Sequence, residues 1–192
     1  MTGWTKPLTA GTHLAPQDGT CLMEAVSLVT GDRWTDAPSS THPLLAHLAR
    51  LVNDAVSDDR RDDLAMLIPH LIDTNSSDPF VHARLADVCT SYALTLDESP
   101  VLRRLRRSAE RRLDDPGRTR ARASLLRLDE IRRWTFEHGT ARRAVETSVA
   151  HCEKRGDDHL IGLLTAAATV VSRHHSDTSL VMSTVDVSLT AG

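Results

Sequence analysis

Three observations predict an all-α fold for this 192-residue chain. Apolar residues recur at spacings of three and four along most of its length, which puts them on one face of a helix, and no convincing strand pattern precedes the C-terminal tail. Aromatic residues supply only 3% of the chain, so the core has to be built from Leu, Val, Ala and Ile, a palette that suits packed helices better than a sandwich. Start and stop signals punctuate the chain often enough to divide it into about seven to eight helices. The expected architecture is a compact helical bundle forming one domain over residues 1–176, followed by a tail at 177–192 that is extended or mobile.

Thr20 is expected to cap a first helix that runs to about Thr30 and stops at Gly31, with Leu22, Val26 and Val29 as its inward stripe. Pro38 to Pro43 introduces a second, in which Leu44, Leu45, Leu48, Leu51, Val52 and Val56 share a face. Ser57, Asp58 and Asp59 cap a third, where Leu64, Leu67, Ile68, Leu71 and Ile72 turn inward and Pro69 should kink or split the rod. Asp78 and Pro79 form the start signal of a fourth helix, striped by Val81, Leu85, Val88 and Tyr92. Ser99 and Pro100 repeat the device for a fifth that runs to Leu113. Asp114 to Gly117 breaks the rod, after which Ala121, Leu125, Leu128, Ile131 and Trp134 mark a sixth, and a seventh spans Thr140 to about Lys154. The last, Asp158 to Arg173, is apolar nearly all round and is expected to sit centrally.

Hydrophobic residues at 40% and charged residues at 26% match a soluble globular protein and exclude wholesale disorder. Cys21, Cys89 and Cys152 are odd in number, far apart and without a C-x-x-C pair, which speaks against a disulfide framework. Residues 1–10 lack an apolar run and the longest apolar stretch, Leu160 to Ser172, is too short to span a bilayer, so the expectation is a cytoplasmic protein with no membrane partner.

The net charge is −3, yet residues 101–143 hold 14 arginines against 6 acids. Arginine clusters neutralise phosphates, so Arg103, Arg104, Arg106, Arg107, Arg111 and Arg112 are candidate nucleic-acid contacts. They also alternate with Leu102, Leu105 and Leu113 as a solvated helix face does, and the acidic remainder of the chain can pair with them within the fold or across a dimer. No helix-turn-helix, zinc-finger or RNP pattern accompanies them.

The most pointed feature is Asp18-Gly19-Thr20-Cys21-Leu22, where a turn delivers a cysteine to a helix start. Free N–H groups and the helix dipole favour a thiolate there. On that reading Cys21 is a nucleophile, His13 its base and the backbone N–H groups of the helix start its oxyanion donors; read structurally, Cys21 is a small buried hydrophobe. Nine further histidines, among them His42, His47, His70 and His82, compete for the role of base. The five-residue turn resembles the nucleophile turn of ovarian-tumour-type cysteine proteases. That resemblance implies a catalytic Cys21 with Asp18 helping in the oxyanion region, while the late histidine-bearing strand of such enzymes has no counterpart here.

The wider segment, Gly19 to Ser27, Gly31 to Asp36, Thr41 to Leu45 and Leu51 to Asp54, resembles an uncharacterised group of small actinobacterial helical proteins over about residues 1–75. The likeness implies one structural unit of loop, helix and helical hairpin and brings no activity with it. Trp34, Asp36, Asn53 and Asp54 in that unit either line a cleft near Cys21 or cap and staple the hairpin.

His13, Cys21 and Glu24, and separately His151, Cys152 and Glu153, offer metal-ligand chemistry, but adjacent helical residues point in different directions and no pair has coordinating spacing. No metal or cofactor is therefore implied. The first expectation for function is a small accessory or regulatory protein that binds another protein or peptide, or itself, through a groove or the arginine face. The alternative is a cysteine-dependent acyl-transfer or peptide-processing enzyme, and the third is a nucleic-acid-associated protein.

Overall fold

The computed structural model describes residues 4–76, 78–125 and 139–172, and among these the secondary structure is entirely helical. The elements are α1 (Leu22–Thr30), α2 (Pro43–Ala55), a 3-10 segment (Arg61–Leu67), α3 (Ile68–Leu71), α4 (Val81–Leu96), α5 (Pro100–Asp114), α6 (Pro116–Leu125), α7 (Thr140–Glu153) and α8 (157–172). The tail at 177–192 and the stretch carrying Leu128, Ile131 and Trp134 lie outside the described residues.

α4, α5 and α7 pack against one another as a triangle, and α2 bridges it to α1. The buried apolar residues from Leu8 to Val171 form one contiguous cluster. α1 is enclosed on nearly every side, since Leu22, Met23, Glu24, Ala25, Val26 and Ser27 are all buried. α8, by contrast, buries one face through Leu160, Leu163, Leu164, Ala167, Ala168 and Val171, while Thr165 on its other side is exposed. α1 is thus the more fully covered of the two, although Leu28 near its end is exposed.

Local chemistry explains most boundaries. Gly31 ends α1 with φ +73°, the left-handed cap that favours glycine. Pro69 sits in the first turn of α3 and divides the expected third helix into a 3-10 part and an α part, since its missing N–H and fixed φ suit a helix start. Arg61 lies buried beneath the end of α2, where Nε donates to the carbonyl of Asn53 (2.8 Å), Nη2 donates to that of Val56 (2.6 Å) and Nη1 pairs with Asp58. A guanidinium there satisfies carbonyls that no helical N–H reaches and meets the negative end of the dipole.

Several starts differ from expectation. The 3-10 segment opens at Arg61 with Arg60 in the cap position and no side-chain cap, so Ser57, Asp58 and Asp59 do not cap it. α4 begins at Val81, because the Asp78 carboxylate accepts the N–H of Phe80 (3.0 Å) and closes a turn before the helix opens. α6 begins at Pro116, so Pro116 and Gly117 form a first helical turn directly after α5 and not a loop.

Candidate functional site

The start of α1 leaves N–H groups without helical acceptors, and a network of loop side chains is built around them. The N-cap is Cys21 and not Thr20. Its Sγ accepts the N–H of Glu24 at 3.5 Å, while Glu24 Oε2 accepts the N–H of Cys21 at 2.8 Å. This is a capping box in which a thiol replaces the usual hydroxyl. Glu24 is fully buried, and His13 supplies it with two more donors, its own N–H to Oε1 (2.6 Å) and Nδ1 to Oε2 (2.8 Å). Burial alone would raise the Glu24 pKa, but the donors from Cys21 and His13 outweigh it and hold the carboxyl below its usual range.

The far nitrogen of His13, Nε2, lies 3.1 Å from Thr9 Oγ1. That hydroxyl accepts the N–H of Thr20 (2.8 Å), and the N–H of Thr9 donates to the Thr20 carbonyl (2.9 Å). Gly19 makes this possible. Its φ is +137°, and a Cβ there would fall 2.5 Å from His13 Nε2 and 2.6 Å from Thr9 Oγ1.

Asn53 locks the network to α2. Its Oδ1 accepts the N–H of Leu22 (3.1 Å), and its Nδ2 donates to the Thr9 carbonyl (2.9 Å). Asp54 accepts the N–H of Gly11 (2.8 Å), Trp34 Nε1 donates to the His13 carbonyl (2.8 Å), and Asp36 accepts from Thr12 (3.2 Å) beside Arg50. The four residues that the sequence left between cleft-lining and stapling thus all hold the 9–13 loop or its flank in place.

The residues singled out from sequence are distributed unevenly over this site. Cys21 and His13 both bond Glu24, and among the described residues no hydrogen bond joins them directly. Asp18 is on the exposed loop, where its N–H donates to the Ala15 carbonyl (3.0 Å). His42 caps α2 by accepting the N–H of Leu44 (3.3 Å), His47 meets Glu146 (3.1 Å), and His70 is exposed. The organising residue is Glu24, which the sequence reading weighed only as a metal ligand. Its signal was the x-x-Glu spacing after a capping residue, obscured because the cap is a cysteine.

The arrangement constrains its chemistry. Cys21 is 2% exposed. Burial pushes its thiol up to about 12, and the adjacent Glu24 charge adds to this against the pull of the Glu24 N–H, so the sulfur is protonated at neutral pH. Thr9, His13 and Glu24 stand in hydroxyl–imidazole–carboxylate order, the order of an acyl-transfer relay, but the Gly19 backbone lies directly against both the hydroxyl and the ring. A shallow cavity of about 140 Å³ lies elsewhere, lined by Ala37, Pro38, Thr41, Pro43, Ala46 and Arg50. Among the described residues no group of three His, Cys, Asp or Glu side chains is arranged to hold a metal ion.

A second candidate surface is α5. Leu102, Leu105 and Ala109 are buried, which turns the arginines outward. Arg103 pairs with Glu98 (2.7 Å), and Arg112 donates to Thr140 Oγ1 (2.9 Å). Arg106 stands 3.4 Å from Asp87 and 3.0 Å from Glu110, close enough to pair though not aligned for a hydrogen bond. Arg104, Arg107 and Arg111 are exposed and meet no carboxylate among the described residues. Their spacing of three and four places them on one stripe. Arg118 follows on α6, exposed, and Arg120 and Arg84 lie over the Phe80 ring at 5.6 and 5.7 Å.

Comparison with protein-family models, curated proteins and solved structures finds no match to this chain. Among the described residues no helix is long and apolar enough to cross a membrane.

Proposed function

We propose that this chain is a helical accessory or regulatory protein that works by binding an anionic partner across the exposed face of α5 and the start of α6. The observation that carries the reading is the stripe of Arg104, Arg107 and Arg111, three exposed guanidiniums without a carboxylate among the described residues, on a helix whose opposite face is fixed in the core. Where the fold needs charge balance it supplies it, as at Arg103, Arg106 and Arg142. Three aligned guanidiniums that meet no carboxylate among the described residues, Arg107 bonding only the Arg103 carbonyl (3.3 Å), are what a surface that receives its counter-charge from elsewhere requires. Binding ranks above cysteine chemistry here because the thiol of Cys21 is buried and protonated.

The test is fluorescence anisotropy of labelled poly-glutamate and labelled heparin against the full chain and against the R104Q/R107Q/R111Q variant. The expected result is binding of at least one polyanion that weakens with salt and is lost in the variant, while both proteins unfold at the same temperature. No binding to either polyanion at low ionic strength overturns the reading.

A further inference from the structure

We infer that the anion received by α5 is the phosphate backbone of a double-stranded nucleic acid, bound without reading its sequence; this rests on the binding role proposed above. Three features of the face select the occupant. First, among the described residues it shows no apolar anchor. Protein interfaces depend on a desolvated centre of aromatic or large aliphatic residues. Of the large exposed hydrophobic residues among the described ones, Leu14, Leu28 and Met66 lie on other elements, and Val101 (47% exposed) is at the first turn of α5. A dense, regularly spaced anion needs no such centre.

Second, α5 and α6 contain no Phe, Tyr or Trp, so these two helices offer no platform on which unpaired bases could stack, and a single strand gains little from them. Phe80, which Arg120 of α6 reaches, is already covered by Arg84 and Arg120. Third, the charge is carried by arginine alone. A guanidinium presents a planar fork that grips phosphate oxygens in pairs. Arg104 and Arg111 are two turns apart on the helix, about 10 Å by the helical rise, with Arg107 between them, so the stripe presents a row of forks and not one point charge.

Acidic neighbours set the limits of the contact. Glu98, Asp87 and Glu110 are already engaged by Arg103 and Arg106. Asp114 closes α5, and Arg118 is exposed on α6 beyond it. No asparagine or glutamine accompanies the stripe, so the amides that read adenine edges are missing from α5 and α6; guanidiniums can grip guanine as well as phosphate, and the indifference of binding to duplex sequence is what separates the two.

The experiment measures anisotropy of labelled duplex DNA, duplex RNA, single-stranded DNA and poly-glutamate with the full chain across a salt series, repeated with R104Q, R107Q, R111Q and their combination. The expected result is duplex binding stronger than single-strand or poly-glutamate binding and indifferent to sequence. The slope of log affinity against log salt should fall by about one for each arginine removed. Binding of poly-glutamate without binding of either duplex overturns this inference and leaves the anionic-partner reading standing. A single strand preferred over both duplexes, or a duplex affinity untouched by the triple substitution, also overturns it. Failure to bind any of the four overturns both.

Discussion

Glu24 decides the local structure of the N-terminal loop, because one buried carboxylate receives donors from Cys21 and twice from His13. Removing it strands those donors in the interior and deletes half of the capping box. Glu24→Ala should therefore lower stability by about 3 kcal/mol, read as a shift in the denaturant midpoint, and Glu24→Gln should recover only part, since its amide turns an NH2 toward groups that are themselves donors. Cys21 follows from the same geometry. Burial pushes its thiol up to about 12, so iodoacetamide at pH 8 should leave it unmodified in the native protein and label it once denaturant is added, which peptide mass spectrometry reads directly. The turn and helix start were legible because Gly19, Cys21 and Gly31 are local signals. The identity of the cap was not, because a sulfur caps poorly in isolation and does so here only with Glu24 and His13 closing over it. The meeting of His13 with Glu24 depends on a chain reversal that no spacing encodes.

At the scale of the element, the cap of α2 carries a pH dependence. Burial first, and the neighbouring His82 second, lower the His42 pKa to about 3, while Nδ1 must stay unprotonated to accept from Leu44. The folded chain therefore binds no proton on His42 at pH 5, whereas the unfolded chain begins to bind one below about 6.5. Stability contributed by the neutral ring is complete above that value and is lost as pH falls toward about 3, by on the order of 1.4 kcal/mol per pH unit in the middle of the window. His42→Asn keeps a capping side chain without titrating and should flatten thermal stability against pH in that range. A second element-scale constraint is the contact of α8 with α4. A Cβ on Gly162 would collide with Tyr92 Oη, so Gly162→Ala should destabilise by about 1–3 kcal/mol and Tyr92→Phe should relieve part of that in the double variant. Sequence periodicity revealed which helices exist and that Pro69 divides one. It expected α8 at the centre, where the described residues show a buried face from Leu160 to Val171 with Thr165 exposed opposite; an apolar composition with small residues reads the same whether a helix is enclosed or lies along one side of a core.

For the molecule as a whole, the question is whether the first 75 residues and the α4–α5–α7 triangle open together or separately. The buried cluster runs unbroken from Leu8 to Val171, and links across it are numerous: α2 packs on both α4 and α7, His47 meets Glu146, Ser57 bonds Asp157, and Arg60 pairs with Asp158 (2.8 Å). Most of these polar links are at the surface and contribute little individually, so coupling has to come from the shared apolar contact. The three cysteines report on this without any label. Cys21 caps α1, Cys89 lies inside α4 and Cys152 inside α7, all three buried. If the cluster behaves as one cooperative unit, alkylation of all three in native buffer with rising denaturant should accelerate with the same slope and converge on the global unfolding free energy. A shallower slope for Cys21 alone would mean that α1 and its loop detach while the triangle stays folded. That outcome would divide the chain near residue 75, and the arginine stripe, borne entirely on the other side of that division, would then have to bind its anion unchanged when the N-terminal unit is open.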